Sequence, residues 1–349
     1  MPIPGTDTID LRSDTKTQPD AEMRLAMSEA EVGDDKSGED PTVRRLEEMS
    51  AEVLGKEAGL FVVSGTMGNL VSIKTQTRPG QEIICERQAH IYLWEGGGIS
   101  TLCGLLPRLV PGMDGVMNPD DVEAAISDGS NVHVGATGLV EVENTHNMAG
   151  GVAMSVEQTE AICDVAHAHD IPVHCDGARI FNAASALGVA PAELVAPVDT
   201  VQFCFSKGLG APVGSMICGS REFIDEARSV RNVVGGALRQ AGVIAAACIV
   251  ALEEGRKRLH VDHEHARQIA DTLDELPGVA VDLSTVQTNI VNLQVRREDV
   301  NAPSLCHALE AYEIAAIARN DAEIRLVTHK QVTDEDTDRV CKALREVLG

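Results

Sequence analysis

Short apolar runs separated by longer amphipathic stretches occupy most of the chain, and that alternation predicts an α/β fold with a mostly parallel sheet covered by helices. The runs that read as strands are residues 59–63, 82–85, 132–134, 138–142, 171–175, 200–205 and 214–218. Residues 41–54 read as a helix, because Pro41 suits a first helical turn and Val43, Leu46, Met49 and Val53 recur at spacings of three or four. Residues 155–169 read as another: Ser155 stands at the N-cap and Gln158 three places on, the pattern of a capping box. An alanine-rich stretch from Arg239 to about Glu254 is apolar on most faces, which predicts a helix buried between domains. The rest reads as a surface helix at 261–276, a strand at 290–295, a helix at 303–311, a strand at 324–327 and a last helix at 334–348. The expected division is residues 1–250, an N-terminal segment with a large domain, and residues 251–349, a small C-terminal α/β domain.

Composition narrows the function classes. The 349 residues carry a net charge of -25, which argues against nucleic acid or an anionic membrane as partner, since both need a positive face. Only eight of the 29 basic residues are lysine, a balance that fits either a salt-adapted surface or an ordinary acidic protein with an arginine bias. No run reaches the roughly 18 to 20 apolar residues of a membrane span, and no basic-then-apolar leader opens the chain, so a cytoplasmic protein is expected. Nine scattered cysteines without a C-x-x-C pair predict free thiols rather than disulfides or a metal site.

The candidate chemistry lies at the ends of two apolar runs. Lys207 follows Phe203-Cys204-Phe205-Ser206, and Asp176 follows Val173-His174-Cys175. An amine and a carboxylate at strand ends suggest a pyridoxal phosphate site: the amine joins the cofactor aldehyde as a Schiff base, and the carboxylate keeps the pyridine nitrogen protonated. Ser64-Gly65-Thr66-Met67-Gly68-Asn69 sits between a strand and a helix, where small residues let backbone amides approach a phosphate. Alone, that motif is weak. His90 is placed to stack on a pyridine ring or to reach a substrate hydroxyl, or else to make a structural hydrogen bond. Arg179 either pairs with Asp176 or uses its planar fork on the ring hydroxyl or a substrate carboxylate. Arg325, on an apolar strand, needs an anion if buried.

These motifs carry a resemblance. The chain resembles the threonine aldolase family of fold type I pyridoxal phosphate enzymes, with a large domain of the aspartate aminotransferase type, through Asp10-Leu11-Arg12-Ser13-Asp14-Thr15, residues 33–35 with 38–43, 64–69 and 143–147, His174 through Arg179, residues 206–209, 235–240 and 325–329. The resemblance implies cleavage of a β-hydroxy-α-amino acid, L-threonine or L-allo-threonine, to glycine and an aldehyde. It implies that Lys207 binds the cofactor, Asp176 its ring nitrogen, and Gly65 and Thr66 its phosphate, with His90 stacked on the ring. Ser13, Arg179 and Arg325 would hold the substrate carboxylate, and His133 would stand with His90 near the substrate hydroxyl. Arg239 would reach phosphate, across a subunit boundary in a homodimer or homotetramer with shared sites. The family commonly has tyrosine where Ser37 stands and often lysine where Asn232 stands, and Arg231 could supply the missing charge. The alternatives are another pyridoxal phosphate lyase or aminotransferase, and a cofactor-binding scaffold without turnover.

Overall fold

The computed structural model describes residues 7–349. A seven-stranded sheet forms its centre, in the order Ala58–Val62, Ser215–Gly219, Thr200–Cys204, Val173–Asp176, Thr137–Glu143, Glu82–Glu86 and Leu106–Val110. Only Ser215–Gly219 runs against its neighbours, so the sheet is mostly parallel. Helices cover both faces, and six of these strands are buried through most of their length, the edge strand Leu106–Val110 being the exception.

One face packs on the largest core, to which Pro41–Leu54, Val156–His167 and Gly242–Glu253 contribute; the other is covered by Gly65–Gln76 and Arg221–Val233. Pro41 occupies the first turn of its helix behind Asp40, and Ser155 and Gln158 form the expected reciprocal cap. The alanine-rich helix begins at Gly242 and packs beneath Ala21–Glu29 and Pro41–Leu54, within the large-domain core rather than between domains. Its small side chains allow that close approach, and Asp40 fixes its start by accepting from the Gly242 amide at 2.8 Å.

A second core lies under a four-stranded sheet, Val279–Ala280, Ile290–Val295, Glu323–Val327 and Ile317–Ala318, with helices Leu259–Asp274, Ala302–Glu310 and Asp334–Leu348. Ile9 and Leu11 belong to this core, and Ile9–Asp10 pairs in parallel with Ile314–Ala315. The N-terminal segment therefore lies against the small domain before the chain enters the large one.

Two sequence expectations change. Residues 132–134 form an exposed turn instead of a strand, with Val132 91% exposed. Leu106–Val110 is a strand that the pattern did not announce. It lies at the sheet edge, where Pro107 and Arg108 are tolerated because one side of the strand has no ladder to complete.

Candidate active site

Three parallel strands deliver the reactive groups at their carboxyl ends. Thr137–Glu143 ends on Glu143, Val173–Asp176 ends on Asp176 directly opposite it, and Thr200–Cys204 leads through Phe205 and Ser206 to Lys207. The turn after Lys207 closes with the Gly210 amide donating to the Lys207 carbonyl at 2.9 Å. Gly210 has φ +85°, and a Cβ there would meet the Lys330 side chain at 2.7 Å. Thr17 Oγ1 also donates to the Lys207 carbonyl, at 3.1 Å, so the N-terminal segment bearing Ser13 reaches the same place. Ser13 Oγ itself caps a short turn by accepting from the Thr15 amide.

Asp176 is 2% exposed. It accepts from Asn69 Nδ2 at 2.8 Å, from Gln202 Nε2, and from the Ala178 amide at 3.1 Å. Burial alone would push its carboxyl up. His90 when protonated, the Lys207 amine and the amide donors outweigh that and hold it below the usual value. His90 begins the helix His90–Leu93; its amide donates to Glu143 Oε2 at 2.8 Å, and its Nδ1 lies 2.9 Å from Glu95 Oε1. Burial lowers the proton affinity of this imidazole, but the Glu95 contact, with Asp176 beyond it, raises it above the ordinary histidine value. With Nδ1 engaged, Nε2 is the free ring nitrogen.

Gly65 and Thr66 open the helix Gly65–Gln76. The Ser64 side chain takes the Met67 amide and its carbonyl takes the Gly68 amide, leaving the Gly65 and Thr66 amides as the open donors of that N-terminus.

The arginines divide into compensated and uncompensated ones. Arg179 donates through Nε and Nη2 to both oxygens of buried Asp14, each at 2.8 Å. Its fork is therefore spent on Asp14 rather than on Asp176 or a carboxylate from outside. Arg325 has only neutral acceptors: Asn147 Oδ1 at 2.8 Å and the Arg12 carbonyl at 3.3 Å, with Nε unpartnered. Burial, together with repulsion from Arg179 and Arg319, pulls its guanidinium down to about 10. A half-buried guanidinium without a charged partner is suited to receive an anion.

Other sequence candidates lie elsewhere. His133 is on the exposed turn, its amide bonded to Asn131, because residues 131–134 never join the sheet. Arg239 is an exposed side chain paired with Asp34 at 2.8 Å. Ser37 and Asn232 line one cavity of about 660 Å³ together with Arg231. The Arg231 charge is already answered by Asp35 at 3.0 Å, so it does not stand free as a replacement cation. The sequence reading assigned no role to Asp14, Asn69, Glu95 or Gln202. A glutamine inside the apolar run 200–205 was the available signal, since a buried amide requires a partner.

The donor set fits pyridoxal phosphate: an ionised buried carboxylate, a lysine amine and a histidine beside two open amides of a helix N-terminus, all at strand carboxyl ends. Fold and site together define a fold type I pyridoxal phosphate enzyme. The chain belongs to the beta-eliminating lyase family, whose model matches residues 10–296, and within it to the threonine aldolases. It is 44% identical to the low-specificity L-threonine aldolase 1 of Arabidopsis thaliana over 98% of this chain and 96% of that protein. It is 38% identical to the low specificity L-threonine aldolase of Escherichia coli K12 over 98% and 99%. The solved Leishmania major threonine aldolase shares the fold with a TM-score of 0.84 at 17% identity, covering 98% of this chain and all of that one (100%). The chain is thus a carbon–carbon lyase by family.

Proposed function

We propose that the protein cleaves L-threonine and L-allo-threonine to glycine and acetaldehyde. The observation that carries the reading is the pairing of a half-buried arginine without a charged hydrogen-bond partner among the described residues, Arg325, with a histidine whose Nδ1 is pinned and whose Nε2 is free. When bound, pyridoxal phosphate supplies the electron sink that lets the Cα–Cβ bond break. Lys207 holds the cofactor covalently, Gly65 and Thr66 hold its phosphate, and Asp176 presents a negative charge to its ring nitrogen. Arg325 and Ser13 orient the substrate carboxylate. His90 Nε2 accepts the β-hydroxyl proton, and Glu95 stabilises the imidazolium that results. The aldehyde leaves, and a proton returned to Cα completes glycine.

We extend the reading to a homo-oligomer, a dimer or tetramer. Apolar side chains are exposed along the edge strand and beside the short helix His90–Leu93, with Leu106 at 55% and Trp94 at 59% exposure. His133 and Arg239, both exposed, act in this reading on the site of a neighbouring copy. A reducing, cytoplasmic setting agrees with nine free cysteines, and no helix among the described residues is long and apolar enough to cross a membrane.

The test is product analysis from both threonine isomers with added cofactor. Glycine and acetaldehyde in equal amounts are expected; ammonia and a keto acid would instead mark another lyase. Lys207→Ala is expected to lose both turnover and the absorbance band of the bound cofactor. Light scattering on the eluting holoenzyme reads the subunit number, and a monomer would refute the shared-site reading.

A further inference from the structure

A polar chain ends on Asp176, and its donors all run one way. Gln76 Nε2 donates to the Ser72 carbonyl and to Thr200 Oγ1, each at 3.0 Å. A carbonyl only accepts, so the Gln76 amide is oriented. Thr200 Oγ1 lies 2.9 Å from His174 Nδ1, and His174 Nε2 lies 3.1 Å from Asn69 Oδ1. Asn69 Nδ2 is 2.8 Å from both Glu95 Oε1 and Asp176 Oδ2. Two carboxylates on that nitrogen fix the Asn69 amide, so its oxygen must face a donor. His174 accordingly carries its proton on Nε2 and accepts the Thr200 hydroxyl proton at Nδ1. Burial pulls the His174 imidazole down to about 4, which keeps it neutral in this role.

We propose that Thr200, His174 and Asn69 form a one-way hydrogen-bond line that holds Asp176 ionised and aimed at the cofactor, which makes all three positioning residues of the site. Successive donors polarise one another in a dry interior, so the last bond of such a line is stronger than an isolated one. Asp176 needs that support. His90, His146 and Lys207 favour its charge, but Glu95 and Glu143 crowd it from the neighbouring elements, with Glu141 protonated beside them. Thr200, His174 and Asn69 are all buried, so water does not take over a lost donor.

The inference rests on the reading of Asp176 as the partner of the ring nitrogen, and the experiment separates the two. Holoenzymes carrying Thr200→Val, Thr200→Ser, Asn69→Ala and Asp176→Asn are compared by the pH dependence of cofactor absorbance, by carbon-13 NMR of labelled aspartate, and by kcat and KM. Removing a donor makes Asp176 easier to protonate, so the acidic limb of the absorbance profile moves to higher pH. Asn69→Ala is expected to show this with a fall in kcat of about tenfold or more and little change in KM. Thr200→Val, nearly the same shape as threonine, shows a smaller shift in the same direction, and Thr200→Ser restores the profile. Should Asn69→Ala fail to fold, the Thr200 pair decides alone. A wild-type profile and kcat in Thr200→Val overturn the line. A wild-type profile in Asp176→Asn overturns the placement of Asp176 instead.

Discussion

Glu141 lies on the strand Thr137–Glu143, fully buried, and neither of its carboxyl oxygens has a hydrogen-bond partner among the described residues. Burial pushes its carboxyl well above the ordinary 4.5, and the negative charges of Glu143, Asp176, Glu95 and Glu86 push it further. The folded protein therefore keeps a proton that the unfolded chain releases above about pH 4.5. A folded value raised in this way contributes its full stability below the unfolded value and loses it as pH rises toward the folded one. The loss is about 1 to 2 kcal/mol for each pH unit crossed. Each unit crossed before the folded value is reached is a sizeable part of the roughly 5 to 15 kcal/mol typical of a domain. Glu141→Gln keeps the shape and has no proton to lose. Its unpartnered amide carries a penalty, but one that does not vary with pH. Urea unfolding of both holoenzymes at pH 5, 6, 7 and 8 should show the variant gaining on the wild type as pH rises from 5 toward the raised value of Glu141. Parallel curves would refute the reasoning, because they would mean that Glu141 is ionised in the fold or neutral in both states.

Arg325→Ala should raise KM for threonine by about ten- to a hundredfold and change kcat less, since a hydrogen-bonded charge contributes about 1.5 to 3 kcal/mol; initial-rate kinetics reads the split. Asp14→Ala strands the Arg179 guanidinium in a buried site and should cost about 3 to 5 kcal/mol in denaturant unfolding. Glu95→Gln removes the charge that raises the His90 imidazole, so the acidic limb of the kcat/KM profile should move to lower pH. A limb that stays in place would mean that His90 is not the base.

How far the sequence speaks depends on what each residue must satisfy. The strands that lead to Asp176 and Lys207 were legible because a sheet covered on both faces favours mostly apolar runs, and the helix starts were legible because Pro41, Ser155 and Gln158 act on their own neighbours. Val132 and Val134 imitated a strand because alternation over three residues does not tell a strand from a turn. The Arg179–Asp14 pair joins residues 165 apart in sequence, so no local pattern announces it. A carboxylate at a strand end beside an arginine three residues on looks self-sufficient, and only the fold shows the arginine turned to another partner.

The same distinction bears on how substrate binding reaches the chemistry. Arg325 comes from the small-domain sheet, whereas His90 and Asp176 come from the large domain, and Asn147 and Glu143 join them. The Asn147 side chain accepts from Arg325 at 2.8 Å, while the Asn147 backbone N–H donates to Glu143 Oε1 at 2.8 Å. Glu143 Oε2 in turn holds the His90 amide. A substrate carboxylate offers Arg325 a charged acceptor in place of a neutral one, and charge-assisted bonds are roughly twice as strong. In the proposed reading binding competes with Asn147 for the guanidinium, and Asn147 is joined through Glu143 to the residue proposed to take the hydroxyl proton. A site assembled this way lets recognition of the α-carboxylate, common to all amino acids, adjust the group that acts on the β-hydroxyl, which only some of them carry.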